Sequence, residues 1–458
     1  MKVFAIAATV LGVAVSSAAA SPQAAQPLTV RGGLGHLVMP GDRAMLGYSV
    51  YSGSKAVRGT LYLRNDRQKT YMRIALTRAN TYRVRVPNPL IRGKRLFYYA
   101  VFKDPRTHKS LRLPATGTAT TWILNKPVVV KLGTHQFGQT KAPEAIVARA
   151  SADQVGMEPP NPYEFLPGFG PQTFLVGKDG SVWLDDSLNK RLLVWDAGHP
   201  NTIARTVNFP FDAHANDIAF GPAGSIYVPQ KLGHPARLVL DRLSASGAVI
   251  WQQPLGGEYM GQSTFVIGDN SPLRVGPDGT LFILAFMGDA GGEWAWMPVA
   301  TPAGRPIAPA AQRRRTIWPF QPTAGGLRLL GGETYSPHDD MAPHELRYAL
   351  VDRHDRVVRS WRILSRTEMN FHLTVPELAG GDPLVVVDFV KDPGAENIWE
   401  YEVLRLGAHG TRARFSLAHS TFGSDVLPDL RVGPDGKLYQ LATSLKDGVA
   451  ISRYSLDR

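Results

Sequence analysis

Cysteine is missing from all 458 residues, which excludes disulfides, thiolate metal sites and cysteine nucleophiles together. The Gly-x-Ser-x-Gly elbow, the P-loop and the dinucleotide fingerprint are missing too, so no nucleophile elbow or phosphate cradle is announced. Acidic residues nearly vanish from one stretch. Between Leu28 and Asn125 stand eighteen Lys and Arg against three Asp and Glu (Asp42, Asp66 and Asp104), a formal charge of +15. Long apolar runs are confined to the start of the chain. After Met1-Lys2, residues 3–15 carry no charge, and small residues follow up to Ala20. A run of that length is too short for a bilayer span but suits the apolar core of a secretory signal. It predicts a signal peptide over 1–20 and a secreted, extracellular product that is a monomer without a transmembrane segment. The preference for Arg over Lys and the lack of disulfides fit a GC-rich bacterial source.

What is present is a repeat. Phe174-Leu-Val-Gly-Lys-Asp-Gly-Ser-Val-Trp183 recurs as Ile218-Ala-Phe-Gly-Pro-Ala-Gly-Ser-Ile-Tyr227, Leu273-Arg-Val-Gly-Pro-Asp-Gly-Thr-Leu-Phe282 and Leu430-Arg-Val-Gly-Pro-Asp-Gly-Lys-Leu-Tyr439. Each reads as a short apolar strand, a tight reversal on Gly, and a second strand opening on an apolar residue and an aromatic. The first Gly of the turn falls at 177, 221, 276 and 433, so the last gap has room for two degenerate units. Suitable strands are 327–331, 345–352 and 357–363 for one, and 371–375, 384–389, 400–406 and 412–417 for the other. The count predicts an all-β chain whose residues 171–458 form a six-bladed β-propeller. The last blade lacks an outer strand. A segment between Pro127 and Ala150 is expected to supply it, with 128–132 the favoured choice.

The stretches Asp179 to Asp196 and Val275 to Phe282 resemble NHL-repeat propellers and their gluconolactonase-like and streptogramin-lyase-like six-bladed relatives. The resemblance covers 171–458. It implies a site for a divalent cation such as Ca²⁺, held by one Glu, two Asn and one Asp, with Asn216, Asp217 and Asp429 as the matching metal positions. Gln172 departs from that pattern, standing where a Glu is expected, and a neutral amide is a poorer Ca²⁺ ligand.

Residues 28–125 alternate with period two and carry turn signals at regular spacing, which predicts an N-terminal β-sandwich. The stretch Tyr82 to Asp104 resembles immunoglobulin-like and fibronectin-III-like modules. Residues 126–170, with six prolines, read as a linker that contributes the closing strand. Outside the sandwich and the leader, 32 basic residues meet 35 acidic ones, about −3, so the basicity belongs to the sandwich. Arg83 and Arg85 alternate with Val84 and Val86 and leave one strand face together. Arg92, Lys94 and Arg95 follow. A one-signed field of this kind attracts an anionic cell-wall polymer or polysaccharide, with no nucleic-acid module present. Along the linear sequence no aromatic residues interleave with these cations.

Residues just before each repeated strand are expected at the propeller mouth, and the ligand-binding candidates there are Gln172, Asn216, Asp217, Asn270, His344 and Asp429. The catalytic candidates are His214, His338, His372 and Asp340. The loop from Thr334 to Glu345 supplies His338, Asp339, Asp340, His344 and Glu345 within eight residues, a set able to pair an acid with a base. Trp294 and Trp296 offer either a sugar-stacking surface or packing between blades. Two functions remain open: an exported protein binding a glycan, cell-wall polymer or protein ligand at the mouth, and a secreted lactonase-like hydrolase or polysaccharide lyase using the same mouth with a divalent cation.

Overall fold

The computed structural model describes residues 29–457 apart from 34–36, 52–56, 77–80, 115–116, 160–169, 172, 210–216, 233–236, 256–271, 288–292, 309–320, 323–326, 335–343, 371–376, 392–397 and 420–428. Among the described residues regular structure is β-strand, with four short 3₁₀ turns. The chain is all-β.

At the N-terminus two sheets close on one core. The smaller is antiparallel, with Met45–Tyr51 between Thr29–Gly33 and Thr81–Arg85. The larger runs Leu37–Val38, Ala119–Ile123, Arg95–Lys103, Arg58–Asn65, Met72–Leu76, with Ser110–Leu113 added beside Arg95–Lys103. Alternation sets the faces: in Arg58–Asn65 and Arg95–Lys103 every second residue is buried. Leu46, Tyr48 and Tyr82 of the small sheet meet Leu61, Leu63 and Phe102 of the large one.

From Phe174 onward the described residues form six successive sheets, built largely as antiparallel meanders. The repeated turns share one hydrogen-bond plan. The first Gly donates its N–H four residues ahead, Gly177 to Ser181 O, Gly221 to Ser225 O, Gly276 to Thr280 O and Gly433 to Lys437 O. Where Asp stands in the turn it accepts from the N–H two residues on, as Asp179, Asp278 and Asp435 do. A Cβ on Gly177 would lie 2.4 Å from the Asp179 carboxylate, so that close approach selects glycine. In the second unit Ala223 replaces Asp and takes a positive φ of 56°, and the Ser225 hydroxyl donates to Pro222 O instead.

The central strands Val182–Asp186 and Glu345–Val351 are buried at every position, because sheets cover both of their faces. Shared cores join sheets that are neighbours in sequence, apart from the one that joins the last to the first. Trp183 and Leu192 of the first sheet pack with Ile226 and Val228 of the second. Tyr227 and Leu240 of the second pack with Ile283 and Met297 of the third. Tyr348 and Trp361 of the fourth meet Val385 and Phe389 of the fifth, whose Leu384 and Val403 meet Leu438 and Tyr454 of the sixth. The sixth then packs on the first, through Leu441 and Ile451 against Phe174 and Leu184. Trp296 is buried with Phe282 and Leu284 and is therefore packing, not a sugar platform; the side chain of Trp294 is outside the described residues.

The region between the two parts is more than a linker. Val128–Gly133 adds in parallel to Val357–Ser365 as a fifth strand of the fourth sheet. Ala145–Ala150 is the strand that completes the sixth sheet, antiparallel to Gly448–Tyr454. The favoured closing strand, 128–132, is thus corrected to Ala145–Ala150. Length and apolarity are similar in the two segments, and what separates them is the partner edge each reaches.

Between these strands His135 is sunk against the fifth sheet. Its Nδ1 lies 2.9 Å from Glu402 Oε2, its Nε2 2.9 Å from Glu400 Oε2, and its ring stacks on Phe389. Gly138 N–H donates to Glu400 at 2.6 Å, and Arg414 donates to Glu402 and to Leu132 O. Burial alone would lower the His135 pKa, but the hydrogen bonds and charges of both glutamates outweigh it and hold the imidazolium form.

The N-terminal unit sits on the fourth sheet. Leu37, Trp122 and Leu124 share a core with Leu330, Ala349 and Val351. Buried Arg347 grips both carboxylate oxygens of Asp42 and one of Glu345, and Trp122 Nε1–H donates to Asp355 O at 3.1 Å. Trp122→Phe is expected to cost at least the roughly 1 kcal/mol of one buried hydrogen bond, seen as a lower urea midpoint. A midpoint equal to that of the parent chain would show that this contact contributes nothing to docking.

Candidate functional site

Asp217 precedes the first strand of the second sheet, and its carboxylate has no exposure to solvent. Oδ1 accepts from Ile218 N–H at 2.8 Å, from Thr173 Oγ1–H at 3.1 Å and from Arg431 Nη2–H. Oδ2 accepts from Leu273 N–H at 2.7 Å, with Arg274 Nη1 3.9 Å away. Arg431 Nη2 also donates to Thr173 Oγ1 at 3.1 Å. Thr173 leads into the first sheet, Leu273 and Arg274 open the third, and Arg431 sits in the first strand of the sixth. One carboxylate therefore ties together four sheets that are distant in sequence.

A metal ion does not fit at Asp217. Its oxygens already face two backbone N–H groups, a hydroxyl and a guanidinium, and a cation there would be repelled by Arg431 and Arg274. This corrects the expected role of Asp217 as a ligand; its charge is consumed by the protein. Asp429 accepts from Tyr401 O–H at 3.0 Å. Its residue is half-exposed, yet enclosure of the carboxyl group pushes the pKa up to about 7, against the opposing pull of the Tyr401 hydrogen bond. Among the described residues no three His, Asp or Glu side chains are grouped to hold a metal ion.

A second carboxyl lies beside this node. Asp185 is the next-to-last residue of the second strand of the first sheet and donates its N–H to Thr173 O at 3.0 Å. Its side chain is buried, Oδ2 accepts from Ser187 Oγ–H at 2.6 Å, and among the described residues Oδ1 has no hydrogen-bond partner. Burial pushes its pKa well above the carboxylate range; Ser187 opposes the rise, while the charges of Asp186 and Asp217 add to it. Asp241, on the second sheet, behaves similarly: it accepts from Gln230 and Gln252, and burial raises it to about 6.

Gln172, His214, Asn216, Asn270, His338, Asp340 and His372 lie outside the described residues. His344 is exposed at the edge of the fourth sheet. Its neighbour Glu345 is a buried partner of Arg347 and Arg362. On the N-terminal unit Arg85, Arg92 and Lys94 are exposed, as expected. Arg83 is described by its backbone alone, paired with Gly47. Arg95 departs from expectation: half-buried, it lies 3.6 Å from Asp355 and over the ring of Phe97, so its charge is partly spent on the junction.

The residues that reasoning along the chain missed are Asp185, Arg274 and Arg431. A signal for the last two was present. The third and sixth repeats place Arg in the middle of an otherwise apolar strand, Leu273-Arg-Val275 and Leu430-Arg-Val432, and a buried cation requires a buried acid.

No family model matches this chain, and no characterised relative matches it by sequence. Among solved structures, a GH43 β-1,3-galactosidase aligns with 80% of this chain and 87% of its own length, at 8% identity and a TM-score of 0.17. At that score the alignment fixes neither fold nor activity.

Proposed function

We propose that this chain is an exported six-bladed β-propeller, preceded by an immunoglobulin-like or fibronectin-III-like sandwich, that binds an acidic glycan or cell-wall polymer. The propeller reading is supported by the order of the shared cores, in which the sixth sheet returns to pack on the first. The observation that carries binding over metal-assisted hydrolysis is Asp217, whose carboxylate is closed off and neutralised by Arg431. Recognition then falls to exposed surface charge, and the +15 of residues 28–125 supplies it. The hydrolase or lyase alternative rests on His214, His338, His372 and Asp340.

Retention of the full chain on an anionic matrix should fall steeply as salt rises from roughly 50 to 500 mM, because the Debye length shrinks over that range. Arg85→Glu combined with Arg92→Glu should weaken retention at low salt without changing the circular dichroism spectrum. Salt-independent retention, or none at low salt, would sink the reading.

A further inference from the structure

We infer that the outer face of the six-stranded N-terminal sheet is a binding face for an acidic polysaccharide, built from arginines held flat on aromatic rings. The inference rests on the glycan-binding reading above, but it places the contact on a different face from Arg85 and Arg92.

The strand register builds this face. Tyr62 stands directly between Arg73 on one neighbouring strand and Tyr99 on the other. One step along, Arg64 faces Phe97, and on the far side Arg112 pairs with Val101, next but one to Tyr99. All of these are the outward members of alternating strands, opposite the buried Leu61, Leu63 and Phe102. Tyr62 and Tyr99 stack with centroids 4.5 Å apart and planes 6° from parallel. Arg112 lies over Tyr99 at 4.2 Å, Arg73 over Tyr62 at 5.5 Å, and Arg64 over Phe97 at 4.6 Å and Tyr71 at 5.1 Å.

Two of these guanidinium groups are held by hydrogen bonds as well as by rings. Arg112 also donates to Pro114 O and Gly117 O, and Arg64 donates to Gln68 O at 3.0 Å. Among the described residues no Asp or Glu pairs with Arg64, Arg73 or Arg112. A guanidinium resting on a ring is less hydrated than a free ammonium and keeps its remaining N–H groups aimed outward, which suits bidentate contact with carboxylate or sulfate. Arg73 and Arg64 lie on neighbouring strands and Arg112 one strand beyond Arg95–Lys103, so with strands about 4.8 Å apart the three form an ordered cationic patch. An extended polymer carrying repeated anions matches it. Nucleobases do not match as well, since they bind by stacking on open ring faces, and here those faces are covered by arginine or by another ring.

The test uses the full chain and defined polymers: polygalacturonate for carboxylate, dextran sulfate for sulfate, neutral dextran, and oligo-dT. Arg64→Gln with Arg112→Gln should weaken binding to the acidic polysaccharides by at least about tenfold, with neutral dextran unbound throughout. Arg64→Lys with Arg112→Lys keeps the charge but loses the planar, ring-held fork, and should stay at least about threefold weaker than the parent. Arg73→Gln alone, at an exposed position, gives the same direction of change if Arg112 proves necessary for folding. Parent-like binding by the glutamine pair, full recovery by the lysine pair, or tighter binding of oligo-dT than of either acidic polysaccharide would overturn the inference. Loss of binding in the Arg85/Arg92 variant, with the Arg64/Arg112 variant unaffected, would overturn this face while leaving the broader reading intact.

Discussion

Asp217→Ala is expected to destabilise the protein by about 3–5 kcal/mol, the cost of removing one member of a buried ion pair and stranding the other. The stranded group is Arg431, itself largely buried, and the N–H groups of Ile218 and Leu273 lose their acceptor at the same time. The damage should spread across the sheets that Asp217 joins, so Trp183 in the first and Trp296 in the third should respond in the same unfolding transition. Asp217→Leu paired with Arg431→Met should recover part of the loss, because Arg431 no longer remains as a buried charge facing an apolar group, while the Ile218 and Leu273 N–H groups still lack their acceptor. The measurement is urea unfolding followed by tryptophan fluorescence. An alanine variant within about 1 kcal/mol of the parent would show that the node is not a structural keystone.

The second large effect concerns His135. Its folded pKa is raised above the ordinary 6.5, so its contribution is fully present below pH 6.5 and is lost as pH rises through the folded value. For Glu402, burial pushes the pKa up, but the hydrogen bonds of His135 and Arg414 and their charges prevail and bring it below 4.5. Its contribution is present above 4.5 and is lost as pH falls through the lowered value. The clamp is therefore strongest between pH 4.5 and 6.5. His135→Leu leaves Glu400 and Glu402 buried without the cation between them, at an expected cost of about 3–5 kcal/mol near pH 6. The difference in melting temperature between parent and variant should shrink as pH rises toward 9. A difference that stays constant from pH 5 to 9 would refute the clamp.

Local chemistry was legible wherever it repeats. The turns at Gly177, Gly276 and Gly433 formed as their Gly-x-Asp-Gly spacing predicts, because the hydrogen bonds that make them span only four residues. The degenerate strands expected at 345–352 and 357–363 appear as Glu345–Val351 and Val357–Ser365, while 371–375 lies outside the described residues. Pairings that depend on distant partners were not legible. Nothing in 128–132 or 145–150 states which sheet edge each will meet, and nothing near His135 announces two glutamates more than 260 positions away. The arginine-on-tyrosine face is a further case. Read along the chain, Arg73, Tyr62 and Tyr99 are unrelated, and only the register of three strands brings them into one row.

The parallel strand Val128–Gly133 has a mechanical meaning. It follows directly on the last strand of the N-terminal unit and runs beside Val357–Ser365 across five paired positions. If the N-terminal unit is anchored to a surface and the rest of the chain is dragged by flow, tension enters the repeated sheets along this strand. Neighbouring hydrogen bonds then share the force and resist together, where a peeled edge would open them one at a time. A protein tethered through one end would hold its shape under pulling through this short run of backbone.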